Sequence, residues 1–262
     1  MNAVTPESAN QRKSDMIANL TVEREGAITK VTFNRPSEGN GFTDDMAQAF
    51  VTALDGAASN SAVVLLRAAG ADFCTGRART PGAPPPAAEA YARRTEYDLI
   101  FDCYGAIRRS PIPVVAAVQG RAMGFGAAVA ALCDVSFAGE TARFSIPEMA
   151  HNIMPTMVMS ALFDRINRNA ILWMAYSTEL IEAEDALKYG LISRVVPDDR
   201  LLGTAEDLCR LIASYPAPAV RGLKEFLRSA PSMHEQGAVD YARSLHAMVN
   251  TSSELKRKSP AA

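Results

Sequence analysis

Three glycines and one glutamate are the first residues in this chain able to do chemistry together. Gly120, Gly124 and Gly126 punctuate the passage from the apolar run Val114–Val118 into an Ala/Val-rich stretch that ends at Leu132, and Ser145-Ile146-Pro147-Glu148 follows shortly after. Glycines at a strand-to-helix turn let backbone N–H groups approach a ligand closely, and a helix N-terminus adds partial positive charge. Such a turn can hold an oxyanion. Glu148 supplies a carboxylate that can take a proton and return it. A dinucleotide-binding turn is excluded: Gly120, Gly124 and Gly126 do not have the GxGxxG spacing, and no acidic residue ends a second strand at the expected distance. Close helix–strand packing alone explains one or two of the glycines but not their setting.

These residues need elements to hold them. Residues 17–35 read as two strands joined in a hairpin across Glu25-Gly26, and 62–69 reads as another strand. Within it, Val63–Leu66 is apolar without interruption, the pattern of a sheet buried on both faces. Asp44–Asp55 has helical spacing, with Met46, Phe50, Val51 and Leu54 toward a core. Thr80–Ala88, with four prolines, must be a loop, and a helix from Glu89 to Ile107 follows it. The strand–helix–strand pattern recurs at 113–118, 124–132 and 134–138, which argues for α/β architecture. Pro216 and Pro218 mark an elbow in a helical C-terminal part. The chain divides into a flexible arm over 1–15, a core over 16–199 and a helical segment over 200–262.

In these motifs and their order the chain resembles the enoyl-CoA hydratase/isomerase (crotonase) superfamily from about Leu20 to Leu255. The resemblance rests on Val31-Thr32-Phe33-Asn34-Arg35-Pro36, Asn40-Gly41-Phe42, Phe73-Cys74-Thr75-Gly76-Arg77-Ala78, the glycine turn closed by Cys133-Asp134, Phe144–Glu148, and the helix stop Ala183–Leu191. It implies a crotonase-like spiral of repeated β-β-α units, with a C-terminal helical segment that supports trimers, often paired into hexamers. It also implies an acyl-CoA thioester as substrate, with coenzyme A entering only as part of that substrate and no separate cofactor. Carried over by position, the oxyanion donors are the amides of Arg77 and Phe125, and Glu148 is the catalytic carboxylate. Coenzyme A is expected near Arg35, Gly41, Thr75, Gly76, Ala78 and Gly124, with Lys224 and Phe226 at its nucleotide end.

Several departures from the family pattern bear on the reaction. The usual Gly-Gly-Gly run reads Gly124-Phe125-Gly126, which places an aromatic ring where the acyl pocket is expected. The usual Asp after the first donor segment is Ala78. Hydratases of the family generally use two glutamates, and the first of those positions is Ala128. Glu148 alone matches the arrangement of the Δ3–Δ2 enoyl-CoA isomerases, in which one base moves a proton from the α to the γ carbon. Thioester or carbon–carbon cleavage, and a catalytically lapsed CoA-binding homologue, stay open as alternatives. His151, Asn152, Tyr91, Tyr97 and Asp98 are candidate replacement groups, and Met154, Met157 and Met159 are read as packing residues.

Composition narrows the remaining classes. The 262 residues are 48% hydrophobic and 21% charged with a formal net charge of −2, so neither nucleic acid nor an anionic membrane is indicated as partner. No apolar run reaches the roughly 20 residues of a membrane span. Glu7 and Asp15 interrupt the first twenty residues, which do not read as a secretory signal. Cys74, Cys103, Cys133 and Cys209 lack metal-site spacing and read as reduced thiols of a cytoplasmic protein. The tail Lys256–Pro260 reads as a solvated end.

Overall fold

The computed structural model describes residues 14–17, 19–78, 82 and 85–256. A seven-stranded sheet runs in the order β1 (Ser14–Ile17), β2 (Leu20–Glu25), β3 (Ile28–Phe33), β4 (Val63–Ala68), β5 (Val114–Val118), β7 (Val135–Gly139) and β10 (Arg194–Val196). The first three strands are antiparallel, and from β3 onward all pairings are parallel. A three-stranded sheet of β6 (Arg121–Met123), β8 (Arg143–Ser145) and β9 (Ile181–Glu182) stands beside it. Strands of two or three residues carry too little periodicity to be read from sequence, and this second sheet was not anticipated.

β4 explains its own composition. Val64 and Leu66 join the larger core with Phe33 of β3 and with Phe50 and Leu54 of α1 (Asp44–Asn60), while Val63 and Leu65 join Ala205 and Cys209 of α8 (Leu201–Ser214) on the other face. A strand covered on both faces has no polar position to alternate with. α1 begins where Thr43 Oγ1 accepts from the Met46 N–H at 3.3 Å. It runs five residues past the expected Asp55, because Ala57 extends the buried stripe of Met46, Phe50 and Leu54. Val51 is only half-buried.

The single helix expected over Glu89–Ile107 is instead three pieces: α2 (Ala90–Arg93), a 3-10 turn (Arg94–Tyr97) and α3 (Asp98–Arg109). The first two bury no residue, whereas α3 buries Ile100, Cys103, Tyr104, Ala106 and Ile107. Without a packed face a short helix is not propagated. α4 (Phe125–Leu132) is buried along its whole length. α5 (Thr156–Leu162), α6 (Arg168–Ser177) and α7 (Ala183–Tyr189) follow, α7 closing on Gly190 in the left-handed region. The C-terminal part holds α8, α9 (Ala217–Ser229), α10 (Glu235–Asn250) and α11 (Ser253–Lys256). Pro216 caps α9 and Pro218 sits in its first turn, so the expected elbow is present.

The expected arm lies outside the described residues except for Ser14 and Asp15, which already belong to β1. The Pro-rich stretch forms neither helix nor strand at its described residues, 82 and 85–88, as expected, and the basic tail beyond Lys256 lies outside the described residues. No described helix is long and apolar enough to cross a membrane.

Candidate active site

The segment Phe73–Ala78 is gripped from two sides. On one side, Thr75 donates to Gly39 O (3.0 Å), Phe42 to Gly76 O (2.8 Å) and Ala78 to Phe42 O (2.9 Å). On the other, Cys74 donates to Arg121 O (3.0 Å) and Met123 to Cys74 O (2.9 Å). The Asp72 carboxylate reinforces the second seam. It accepts from the backbone N–H of Arg121 at 3.0 Å and from its guanidinium at 2.9 and 2.7 Å. Arg121 in turn holds the Asp72 carboxyl below its ordinary pKa. Buried Asn40 ties the loops behind, donating to Ala69 O (2.8 Å) and Asp72 O (2.7 Å) while accepting from the Arg35 N–H (2.8 Å).

This framework sets the two donor segments side by side. Gly126 must be glycine, because a Cβ there would run into Cys74 O. Among the described residues, no backbone carbonyl accepts from the N–H of Arg77 or of Phe125. Phe125 is the first residue of α4, so its N–H stands at the positive end of that helix. Two such donors can receive a developing oxyanion without reorganising.

Glu148 meets them. β8 pairs with β6 so that Met123 faces Ser145, and the Gly124 N–H donates to Ser145 O at 3.0 Å. Beyond Pro147 the chain enters a 3-10 turn, Glu148–His151, closed by Asn152 in the left-handed region. The carboxylate then lies against Gly124: a Cβ at 124 would stand 2.5 Å from Glu148 Oε1. Gly124 also has φ +50°, a backbone conformation that favours glycine, and a Cβ there would push the Glu148 carboxylate out of its place. Glu148 Oε2 and Ser145 Oγ are buried and make no hydrogen bond among the described residues. Burial pushes the Glu148 carboxyl above its ordinary range, against the opposing pull of a backbone N–H and of His151. An under-solvated carboxylate beside two unused N–H donors is equipped as a general base.

The structure distributes the other expected residues unevenly. Gly41, Thr75, Gly76 and Ala78 lie in the paired loops at the donor seam, where a Cβ on Gly41 would stand 3.0 Å from Ala78 Cβ. The Arg35 guanidinium is occupied locally, donating to Gly41 O at 3.1 Å and pairing with Glu38. The Arg77 side chain pairs with Asp44 at the start of α1. The Phe125 ring is buried between Phe42 (centroids 4.5 Å apart) and Tyr104 (5.6 Å). It therefore packs the core rather than an open acyl pocket, a correction to the sequence expectation. Ala128 is fully buried in α4.

Lys224 is not at this seam. Its ammonium donates to Asp134 Oδ2 (2.7 Å), Ile112 O (3.0 Å) and Ile107 O (3.2 Å), which uses all three protons. Phe226 stacks on Tyr241 at 5.9 Å in the C-terminal helices. Cys74 is fully buried with its thiol pushed up to about 12, consistent with a packing residue. His151, Tyr91, Asp98 and Met154 are exposed, Tyr97 is half-buried, and Met157 and Met159 pack against the core. Tyr104, Asp72 and Arg121 carried no motif and went unremarked in the sequence. Tyr104 sits in the apolar stripe of an amphipathic helix, which reads as core.

Known proteins share this architecture and sequence pattern. The enoyl-CoA hydratase/isomerase family model matches residues 23–262. The chain is 29% identical over 237 residues to the 2,3-dehydroadipyl-CoA hydratase of Escherichia coli K12, covering 89% of this chain and 91% of that one. It is 27% identical over 240 residues to the 1,2-epoxyphenylacetyl-CoA isomerase of the same organism, with coverage of 88% and 90%. Among solved structures, an enoyl-CoA hydratase of Mycobacterium smegmatis superposes with a TM-score of 0.84 at 26% identity, over 91% of this chain and 93% of that one.

Proposed function

The chain belongs to the enoyl-CoA hydratase/isomerase family, and on that premise we propose that it moves a carbon–carbon double bond within an acyl-CoA thioester by one-base chemistry. The observation that carries this reading is the Glu148 carboxylate set against Gly124, next to the unused Arg77 and Phe125 amides, with Ala128 where a second carboxylate would stand. The thioester oxygen enters between the two N–H groups. Glu148 takes a proton from the α carbon, and the electrons of that C–H bond pass into a dienolate whose negative oxygen the amides hold. The same carboxyl then returns the proton at the γ carbon, so the double bond moves and no atom is gained or lost. Each amide contributes about 3 kcal/mol to stabilising the charged state.

Coenzyme A is taken up as part of the substrate, its pantetheine side held by main-chain groups of 39–42 and 75–78. No separate cofactor is required. Family membership does not choose the reaction, since hydratases and an isomerase stand among the relatives.

The test is to incubate the protein with 2-enoyl-, 3-enoyl- and malonyl-type CoA thioesters and follow mass and ultraviolet absorbance. A mass-neutral shift of the double bond is expected. Gain of water would replace the reading with hydration, and loss of carbon dioxide or free CoA would replace it with cleavage. Retained CoA binding with every substrate unchanged would mark a lapsed homologue.

A further inference from the structure

The one-base scheme uses the Arg77 amide and leaves the Arg77 side chain idle. Phe42 donates to Gly76 O at 2.8 Å and Ala78 to Phe42 O at 2.9 Å, so Arg77 is held opposite Phe42 at the donor seam. From there its guanidinium reaches the first turn of α1, where Nη2 donates to Asp44 Oδ1. That contact occupies one of the five N–H groups of a guanidinium, and the others make no hydrogen bond among the described residues. Both side chains keep contact with solvent, 31% exposed for Arg77 and 48% for Asp44. An ion pair this exposed is weak, so Asp44 steadies the guanidinium without consuming it.

Reach decides which anion the spare donors can serve. The guanidinium lies within about 7 Å of its own amide nitrogen, the length of an extended arginine side chain. In the proposed site the thioester oxygen stands at that amide. A carboxylate at the fifth carbon of an acyl chain lies about 5 Å from the thioester carbon, inside this reach. The first phosphate of coenzyme A is separated from the sulfur by the whole pantetheine arm, on the order of 15 Å when extended. We propose that Arg77 is a specificity-determining residue whose spare N–H groups receive a carboxylate at the far end of a short acyl chain. The substrate class is then the CoA thioester of a short dicarboxylic acid. A planar guanidinium matches a carboxylate with two parallel N–H bonds, and charge on both partners strengthens them. An acyl chain of equal length ending in a methyl group offers those donors nothing.

The inference rests on the proposed reading in one respect, the thioester oxygen at the Arg77 N–H, and it is tested without turnover. The full chain is titrated calorimetrically with glutaryl-CoA, with pentanoyl-CoA and with free CoA. The two thioesters are matched in length, and their saturated chains cannot be isomerised. Wild type is compared with Arg77→Met, which keeps the backbone amide and removes the charge, and with Arg77→Lys. A thermal melt of each variant verifies the fold. The affinity ratio of glutaryl-CoA to pentanoyl-CoA is expected to fall roughly tenfold to a hundredfold in Arg77→Met. Part of it should return in Arg77→Lys, which restores the charge but not the planar fork. An unchanged ratio would overturn the inference. So would an equal loss for free CoA and both thioesters, which would give the guanidinium to a phosphate of coenzyme A. A shifted ratio in a protein that turns over no enoyl thioester would uphold the Arg77 assignment and sink the isomerase reading instead.

Discussion

At the scale of single residues, Glu148 sets activity against stability. Its carboxyl is raised by burial, so the folded chain binds the proton more tightly than the unfolded chain does. The stabilising contribution is full below the unfolded pKa and is lost as pH rises through the folded one. At neutral pH the native site therefore carries a charge that it solvates poorly. Glu148→Gln is expected to abolish turnover while keeping CoA binding, and to melt higher than the wild type at pH 8. That gap should close toward about pH 4, where the wild-type carboxyl is itself neutral. An equal melting difference at both pH values would assign the effect to packing rather than charge. Phe125 separates backbone from side chain in a different way. Phe125→Ala keeps the donor amide but removes a ring held between Phe42 and Tyr104. Chemical denaturation should show a loss of about 3–5 kcal/mol. The sequence revealed the glycine turn and Glu148 because their types and order are unusual for a plain core. It hid Tyr104, since an aromatic on the apolar stripe of an amphipathic helix looks like any other core residue.

Elements were legible in proportion to how long a pattern each one sustains. The β2–β3 hairpin, β4, α1 and the Pro216–Pro218 elbow all carry signals several residues long, and each is present. The short strands β6, β8 and β9 carry none, yet they bring Gly124 to Ser145 and hence to Glu148. Part of the site's positioning is thus written in tertiary pairing that no local pattern displays. β4 offers a direct measure of the two-faced sheet: Leu65→Ala on the α8 side should cost about 2–5 kcal/mol in denaturant unfolding, comparable to Leu66→Ala on the other side. A near-zero cost at Leu65 would mean that α8 does not cover the sheet. Lys224 shows the opposite lesson, because the family resemblance put it at the nucleotide end of coenzyme A. In the structure it ties α9 to Asp134 and to the carbonyls of Ile107 and Ile112. Lys224→Met is expected to lower stability by about 1–3 kcal/mol, since it strips the Asp134 carboxylate and two backbone carbonyls of a shared donor. Isothermal titration with CoA should show unchanged affinity. A tenfold weaker affinity at unchanged stability would restore the nucleotide-end role.

At the scale of the whole molecule, the exposed apolar surface is the feature a single chain leaves unexplained. Leu223 and Leu227 stand four residues apart on one face of α9, each 69% exposed, and Met248 on α10 is 64% exposed. A groove of about 400 Å³ between these helices is lined by Leu223, Phe226, Leu245 and Val249. Side chains at i and i+4 share a helix face, so the two leucines form a continuous patch and not scattered surface residues. The family resemblance expects trimers or hexamers built through this helical segment, and we propose that the patch is covered in that way. Light scattering at micromolar concentration is then expected to give three or six chain masses, and Leu223→Asp combined with Leu227→Asp to shift the population toward monomer. The double variant faces solvent in the isolated chain, so its fold should persist, as circular dichroism would show. Wild-type protein that stays monomeric would leave the patch without this partner. It would also require one chain to hold the substrate's nucleotide end unaided, although its own Lys224 is already occupied by Asp134 and two carbonyls.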